Sequence, residues 1–297
     1  MGLEAGSRVP QEAVDNGRRL IGLPNFGRMD GLPLSHAEDV IRDTFSGRKN
    51  VLILPYAAFD MDKQEGNAKK ALSRIVPDLG IRSLHTISDA EIPHVLGQAD
   101  GLVMPGGDTY VLAAALQKQF VLDAKNGERI SMADLVRRQV AREVITAGTS
   151  AGFLIMARSI DGAEDTTVPA KTVGGELVVG VDGLRLLPDD VHPAVHYIDH
   201  DEEFSEDDQE TMFAAFPKLR KLFDHLHSMP ANIQWYLRYN PRDTVLAMRD
   251  DSYVFVHGTE RMEVGGENGG IIFEAGKSKQ IVEPGANLSH LLLPRSA

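Results

Sequence analysis

Ile145-Thr-Ala-Gly-Thr-Ser-Ala-Gly152 is an apolar strand that runs into a Gly-x-Ser-x-Gly turn, and Phe153–Ala157 behind it reads as a helix. This pattern places Ser150 at the tip of a strand-to-helix bend, with its hydroxyl near helix amides that stabilise developing negative charge. Gly148 and Gly152 are small because the bend brings backbone and neighbouring elements close together. A serine used as a covalent nucleophile is the sharper reading, and a tight turn in an α/β sheet the plainer one. The motif alone does not separate them.

A second strand end shifts the weight. In Asp100-Gly-Leu-Val-Met-Pro-Gly-Gly-Asp-Thr-Tyr-Val-Leu112, the apolar run Leu102–Met104 meets Gly106-Gly107 and then a helix capped by Asp108 or Thr109. Paired glycines at such a junction leave backbone N–H groups uncovered, which is how an oxyanion hole or anion nest is made. The spacing fits neither a P-loop nor a dinucleotide fingerprint.

Outward from these ends, strand and helix alternate through residues 19–157. Strands are expected at Arg19–Leu23, Asn50–Pro55, Ile81–Thr86, Leu102–Met104 and Val144–Ala147. Helices are expected at Ser35–Phe45, Gly66–Leu79, Ala90–Leu96, Tyr110–Leu122 and Met132–Val140. That is the signature of an α/β fold with an open, mostly parallel sheet flanked by helices. In such sheets reactive groups gather outside the carboxyl ends of strands, where Gly106-Gly107 and Ser150 both fall. Residues 1–18 read as an irregular arm. The second half reads as strands at Thr172–Val181 and Leu184–Leu187, joined by an Asp182-Gly183 hairpin, then helices at Asp207–Phe216 and Pro217–His227. Short strands from Asp243 to Val282 follow as a C-terminal β-hairpin elaboration. Nothing marks a linker, so residues 1–297 read as a single α/β hydrolytic domain.

The net charge of −12 gives a steering field of the wrong sign for a nucleic-acid backbone. The chain has no cysteine, so disulfides and thiolate catalysis are excluded. No apolar run is long enough to span a bilayer, and Met1–Arg19 lacks the apolar core of a signal peptide, so the expectation is a cytoplasmic location without a membrane partner.

A serine hydroxyl needs a base near neutral pH. Among ten histidines, the segment His192-Pro-Ala-Val-His-Tyr-Ile-Asp-His200 stands out, because it follows strand-like sequence and precedes an acidic loop. Pro193 and the β-branched residues disfavour a helix there, so its spacings do not form a helical metal motif. No metal or other cofactor is expected. One base from this cluster is the better reading, and spacing alone does not choose among His192, His196 and His200.

These motifs together resemble the peptidase S51 family, which contains aspartyl dipeptidase (peptidase E) and cyanophycinase and is related to the class I glutamine amidotransferases. The matching pieces, in order, are Leu34-Ser-His-Ala37, Ile53-Leu-Pro-Tyr-Ala57, Pro105–Leu112, Ala147–Gly152, Ile198-Asp-His200, and Thr244–Met248 with Asp250-Asp251. The resemblance implies a flavodoxin-like fold and serine-dependent hydrolysis of a peptide or amide bond in a small substrate. It carries the nucleophile onto Ser150, the oxyanion amides onto Ala151 and Gly107 beside Gly106 and Asp108, and the base onto His200, with His196 in reserve. The orienting carboxylate falls on Glu164 or Asp165, with Asp165 preferred, or on Asp250.

One departure bears on substrate. Aspartyl dipeptidases carry an arginine after the catalytic histidine, whereas Asp201–Glu210 here has no basic residue, so an acidic first side chain is not expected to be favoured. The glutamine- and arginine-containing element of cyanophycinases is missing too. A cyanophycinase-like enzyme, a non-peptide amidase and a catalytically silent small-molecule binding protein stand as alternatives. A homodimer is left open.

Overall fold

Val51-Leu-Ile-Leu54 is buried at every position, as expected of a strand covered on both faces of a parallel sheet. The computed structural model describes residues 9–26, 32–123, 127–160, 172–173, 176–177, 182–197, 232–234 and 236–293. In chain order the strands are β1 (Arg19–Leu23), β2 (Val51–Ile53), β3 (Ile81–Ser83), β4 (Gly101–Met104), β5 (Gln119–Asp123), β6 (Glu128–Ser131) and β7 (Ile145–Thr149). They continue with β8 (Thr172–Val173), β9 (Glu176–Leu177), β10 (Val191–Ala194), β11 (Thr244–Met248), β12 (Ser252–His257), β13 (Arg261–Gly266), β14 (Gly270–Glu274) and β15 (Gln280–Val282). The helices are α1 (Gln11–Gly17), α2 (Glu38–Phe45), α3 (Met61–Ile75), α4 (Ile92–Gly97), α5 (Thr109–Leu116), α6 (Met132–Val140) and α7 (Ala151–Leu154).

The main sheet runs β13-β12-β1-β7-β4-β2-β3, parallel from β1 to β3, with β12 antiparallel to both β1 and β13. Side chains alternate across it. Leu20, Leu52, Leu102 and Met104 pack with α4, α5 and α6 on one face, while Ile21, Val51, Ile53, Val103 and Ile145 pack with α2 and α3 on the other. This is the α/β architecture expected from the alternation of elements. A second sheet, β10-β11-β14-β15, shares the first face through Val191, Leu246 and Ile272. The expected C-terminal strands are therefore divided: β12 and β13 extend the main sheet past β1, and β11, β14 and β15 join β10. Among the described residues no helix is long and apolar enough to cross a membrane.

Several boundaries differ from the sequence expectation for identifiable reasons. Gln11–Gly17 is a helix within the expected irregular arm, seated by the fully buried Val14 and by Arg18, whose Nε donates to Leu186 O at 2.6 Å. Helix α3 starts at Met61 instead of Gly66, because the Asp60 side chain accepts from Lys63 N and caps it. The helix expected over Tyr110–Leu122 stops at Leu116, and the chain turns back into β5, which pairs with β6. Leu84–Thr86 is a 3₁₀ turn, not strand. Leu184, Leu186 and Leu187 are buried but form no strand, the amides of residues 184–187 bonding instead to Ile155, Ala157 and Met156 carbonyls. The expected helices at 207–216 and 217–227 lie outside the described residues.

The entry to β11 is fixed by a buried carboxylate. Asp243 Oδ2 accepts from Tyr236 Oη at 2.7 Å, with His192 Nε2 at 3.1 Å and Arg158 at 3.4 Å. Burial is the largest influence on this carboxyl and acts to raise its pKa. The contacts with His192 and Tyr236 and the charges of His192 and Arg158 together outweigh it, so the group titrates below its ordinary 3.8. A depressed folded pKa stabilises the fold above the unfolded value and loses that contribution as pH falls through the folded value. Asp243→Ala is therefore expected to destabilise the protein by about 1–3 kcal/mol, since Tyr236 loses its buried acceptor. Urea unfolding of parent and variant should show a full difference above roughly pH 5 that narrows below it. A difference that grows on acidification would contradict this assignment.

Candidate active site

Strands β4 and β7 are hydrogen-bonded neighbours with Met104 opposite Gly148, so the two glycine-bearing strand ends lie side by side. Beyond β7 the chain bends sharply at Ser150, whose φ of 49° and ψ of −115° are rare for a residue with a side chain. Such a conformation costs on the order of 1–3 kcal/mol and persists only where its surroundings fix it. Here Ser150 N donates to Leu23 O at 2.8 Å, and Ser150 O accepts from Phe153 N and Leu154 N. The bend also presses Gly152 against β4: a Cβ at 152 would lie 1.9 Å from Met104 O. Glycine is required there by contact alone.

The second sheet brings the other two groups. Strands β10 and β11 run parallel with Ala194 opposite Ala247, and Tyr197 N extends the pairing to Met248 O at 3.0 Å. His196 and Asp250 follow these strands, so they emerge on the same side. His196 Nε2 lies 3.2 Å from Ser150 Oγ, and its Nδ1 lies 2.9 Å from Asp250 Oδ1. The result is a hydrogen-bonded chain of hydroxyl, imidazole and carboxylate. Asn268 Nδ2 donates to Asp250 O at 2.9 Å and steadies the turn. His196 and Asp250 side chains are 37% and 50% exposed, so the imidazole edge is open to solvent and to a substrate.

The glycine turn sits against Ser150. Gly106 N donates to Thr149 Oγ1 at 2.9 Å, and Gly106 O accepts from Gln64 Nε2 at 2.9 Å. Both backbone groups of Gly106 are therefore occupied in holding the turn. Gly107 has φ +142°, and a Cβ there would lie 2.2 Å from Ala57 O. Among the described residues neither Gly107 N nor Ala151 N has a hydrogen-bond partner. Ala151 opens α7, where helix amides lack intrahelical acceptors. Gly107→Ala is expected to push this turn away from Ala57 and lower kcat by about 100-fold, the scale for one lost oxyanion donor. Steady-state kinetics alongside a melting curve would check it, and unchanged kcat in a folded variant would contradict it.

The sequence-expected residues are thus placed as follows. Ser150, Gly106, Gly107, Ala151 and Asp250 come together. Asp108 caps α5, its Oδ1 accepting from Tyr110 N and Val111 N. His200, Glu164 and Asp165 lie outside the described residues. The position beside Ser150 is filled by His196, the reserve candidate, while His192 is buried in the Asp243 cluster. Thr149, Gln64 and Asn268 were not singled out from sequence. Thr149 stood within the serine motif itself, but only the fold reveals that its hydroxyl reaches the neighbouring strand end.

The model of peptidase family S51 matches residues 26–264. Two solved structures are similar to the chain. One is a protein described as a peptidase E from Listeria monocytogenes EGD-e, 17% identical, covering 84% of this chain and 98% of its own, with a TM-score of 0.50. The other is a peptidase from an acI-B1 Actinobacterium, 13% identical, covering 91% of this chain and 96% of its own, with a TM-score of 0.54. No curated protein matches the chain.

Proposed function

We propose, because the chain belongs to peptidase family S51, that it hydrolyses a peptide or amide bond in a small substrate through an acyl-enzyme on Ser150. The observation that carries this reading is the Ser150–His196–Asp250 hydrogen-bonded chain beside two amides without partners among the described residues. Ser150 Oγ attacks the substrate carbonyl carbon while its proton passes to His196 Nε2. The carbonyl oxygen takes the negative charge and is met by the N–H groups of Gly107 and Ala151. His196 then returns the proton to the leaving nitrogen as the carbon–nitrogen bond breaks. Water, deprotonated by the same imidazole, attacks the acyl-serine and releases the acid. The Asp250 carboxylate accepts the Nδ1–H of His196 and keeps it turned that way, so that Nε2 faces the serine.

For substrate, the lack of any basic residue in Asp201–Glu210, a stretch outside the described residues, supports a preference for a neutral or basic group over an acidic one next to the scissile bond. Hydrolysis of Asp-Leu, Ala-Leu and Arg-Leu at low and high salt tests this. Slowest cleavage of Asp-Leu, with the gap narrowing as salt rises, is the expected result. Fastest cleavage of Asp-Leu would overturn the preference, and no cleavage of any short peptide or amide would overturn the function.

A further inference from the structure

We propose that Asp62, Glu65 and His85 form a binding site for one divalent transition-metal ion of the zinc class, apart from Ser150 and not catalytic. One ligand atom from each of the three lies within 4.8 Å of the others. Asp62 and Glu65 stand at i and i+3 at the start of α3, on one helix face. His85 comes from the 3₁₀ turn after β3. Its Nε2 is 2.9 Å from Asp62 Oδ1 and 3.6 Å from Glu65 Oε2. Around a tetrahedral ion with bonds of about 2.0–2.1 Å, neighbouring ligand atoms stand about 3.3 Å apart, so these distances bracket what the ion needs.

The surroundings are those of a held ligand set. The His85 side chain is only 10% exposed, and its Nδ1 lies 2.7 Å from Oγ of the buried Ser83, which reaches on to Ile53 O at 3.5 Å. With Nδ1–H donating to Ser83, and Ser83 donating to Ile53 O, an ion between the side chains would displace the Nε2 proton that holds the 2.9 Å contact with Asp62 and take the Nε2 lone pair in its place. The chain through Ser83 is the relay by which ligating histidines are oriented. Lys69 pairs with Glu65 Oε1 and leaves Oε2 turned toward His85. Asp62 is 92% exposed and supplies both an entry path and a movable third ligand. One nitrogen and two carboxylate oxygens, without sulfur, suit Zn²⁺, Co²⁺ or Mn²⁺ with water completing the shell. Bound there, the ion would tie the start of α3 to the β3 edge, one residue from Gln64 and its bond to the Gly106 carbonyl.

Cobalt(II) titration of the chelator-treated full chain tests the site without reference to turnover. The expected result is one saturable equivalent with visible d–d bands of four- or five-coordinate metal, and a melting temperature that rises with Zn²⁺. Ser83→Ala should weaken binding by about 10-fold or more through loss of the relay. His85→Ala should abolish the bands and the thermal shift, and Asp62→Asn, at an exposed position, serves if the His85 variant does not fold. A simple imidazolium–carboxylate ion pair is the alternative. Absence of saturable binding, or an unchanged spectrum and affinity in His85→Ala or Asp62→Asn, would overturn the proposal.

Discussion

Replacing Ser150 with alanine is expected to lower turnover by about four orders of magnitude or more while leaving the melting temperature near that of the parent. In the proposed mechanism the Oγ atom is the group that forms and breaks the acyl bond. What remains in the variant is binding plus the amides of Gly107 and Ala151, which in enzymes of this kind sustain only about 10³–10⁴-fold catalysis over water. Stability should hold, because the structural bonds at this residue are made by its backbone, to Leu23, Phe153 and Leu154. Residual activity within tenfold of the parent, measured on the best peptide of a short panel, would remove Ser150 from the chemistry.

The second large effect is expected at His196. On the proposed mechanism His196→Ala removes both the base and the acid of the cycle, and a loss of about three to six orders of magnitude in kcat should follow. Asp250→Asn keeps the shape of the pair but lets the imidazole settle in the wrong tautomer, and about a 10⁴-fold loss is the scale for such a change. His200→Ala is the informative comparison, since the family resemblance pointed to His200 and the geometry points to His196. The larger loss is expected at His196. A greater loss at His200 would mean that the histidine beside Ser150 in this structure is not the one that moves the proton.

The two strand ends were legible in sequence because each is a local pattern. A short apolar run and two small residues suffice to read Leu102–Asp108 and Ile145–Gly152, the first with a capping side chain besides, and their place at strand ends follows from the rule for open sheets. The histidine was not legible in that way. Ser150 and His196 are 46 residues apart in sequence, and His196 and Asp250 are 54 apart, so their meeting depends on how β10 registers with β11. Nothing within His192–His200 states that register. Asp250 came from the family resemblance alone, as the strand-end alternative to the preferred Asp165. Helix α1 was missed because Val14 is its one large buried apolar residue, and a single buried position carries no period. The start of α3 was missed because Gly66 looked like a boundary, while the Asp60 cap lay further upstream. The cluster of Asp62, Glu65 and His85 joins a helix to a turn across β3 and leaves no spacing to recognise.

A serine activated by His196 should react with a serine-directed aryl phosphonate, which labelling of the intact protein tests by mass spectrometry and peptide mapping in the parent and in His196→Ala. A single adduct on Ser150 is expected in the parent, formed far more slowly in the variant. No adduct, an adduct on another residue, or equal labelling rates in parent and variant would contradict it.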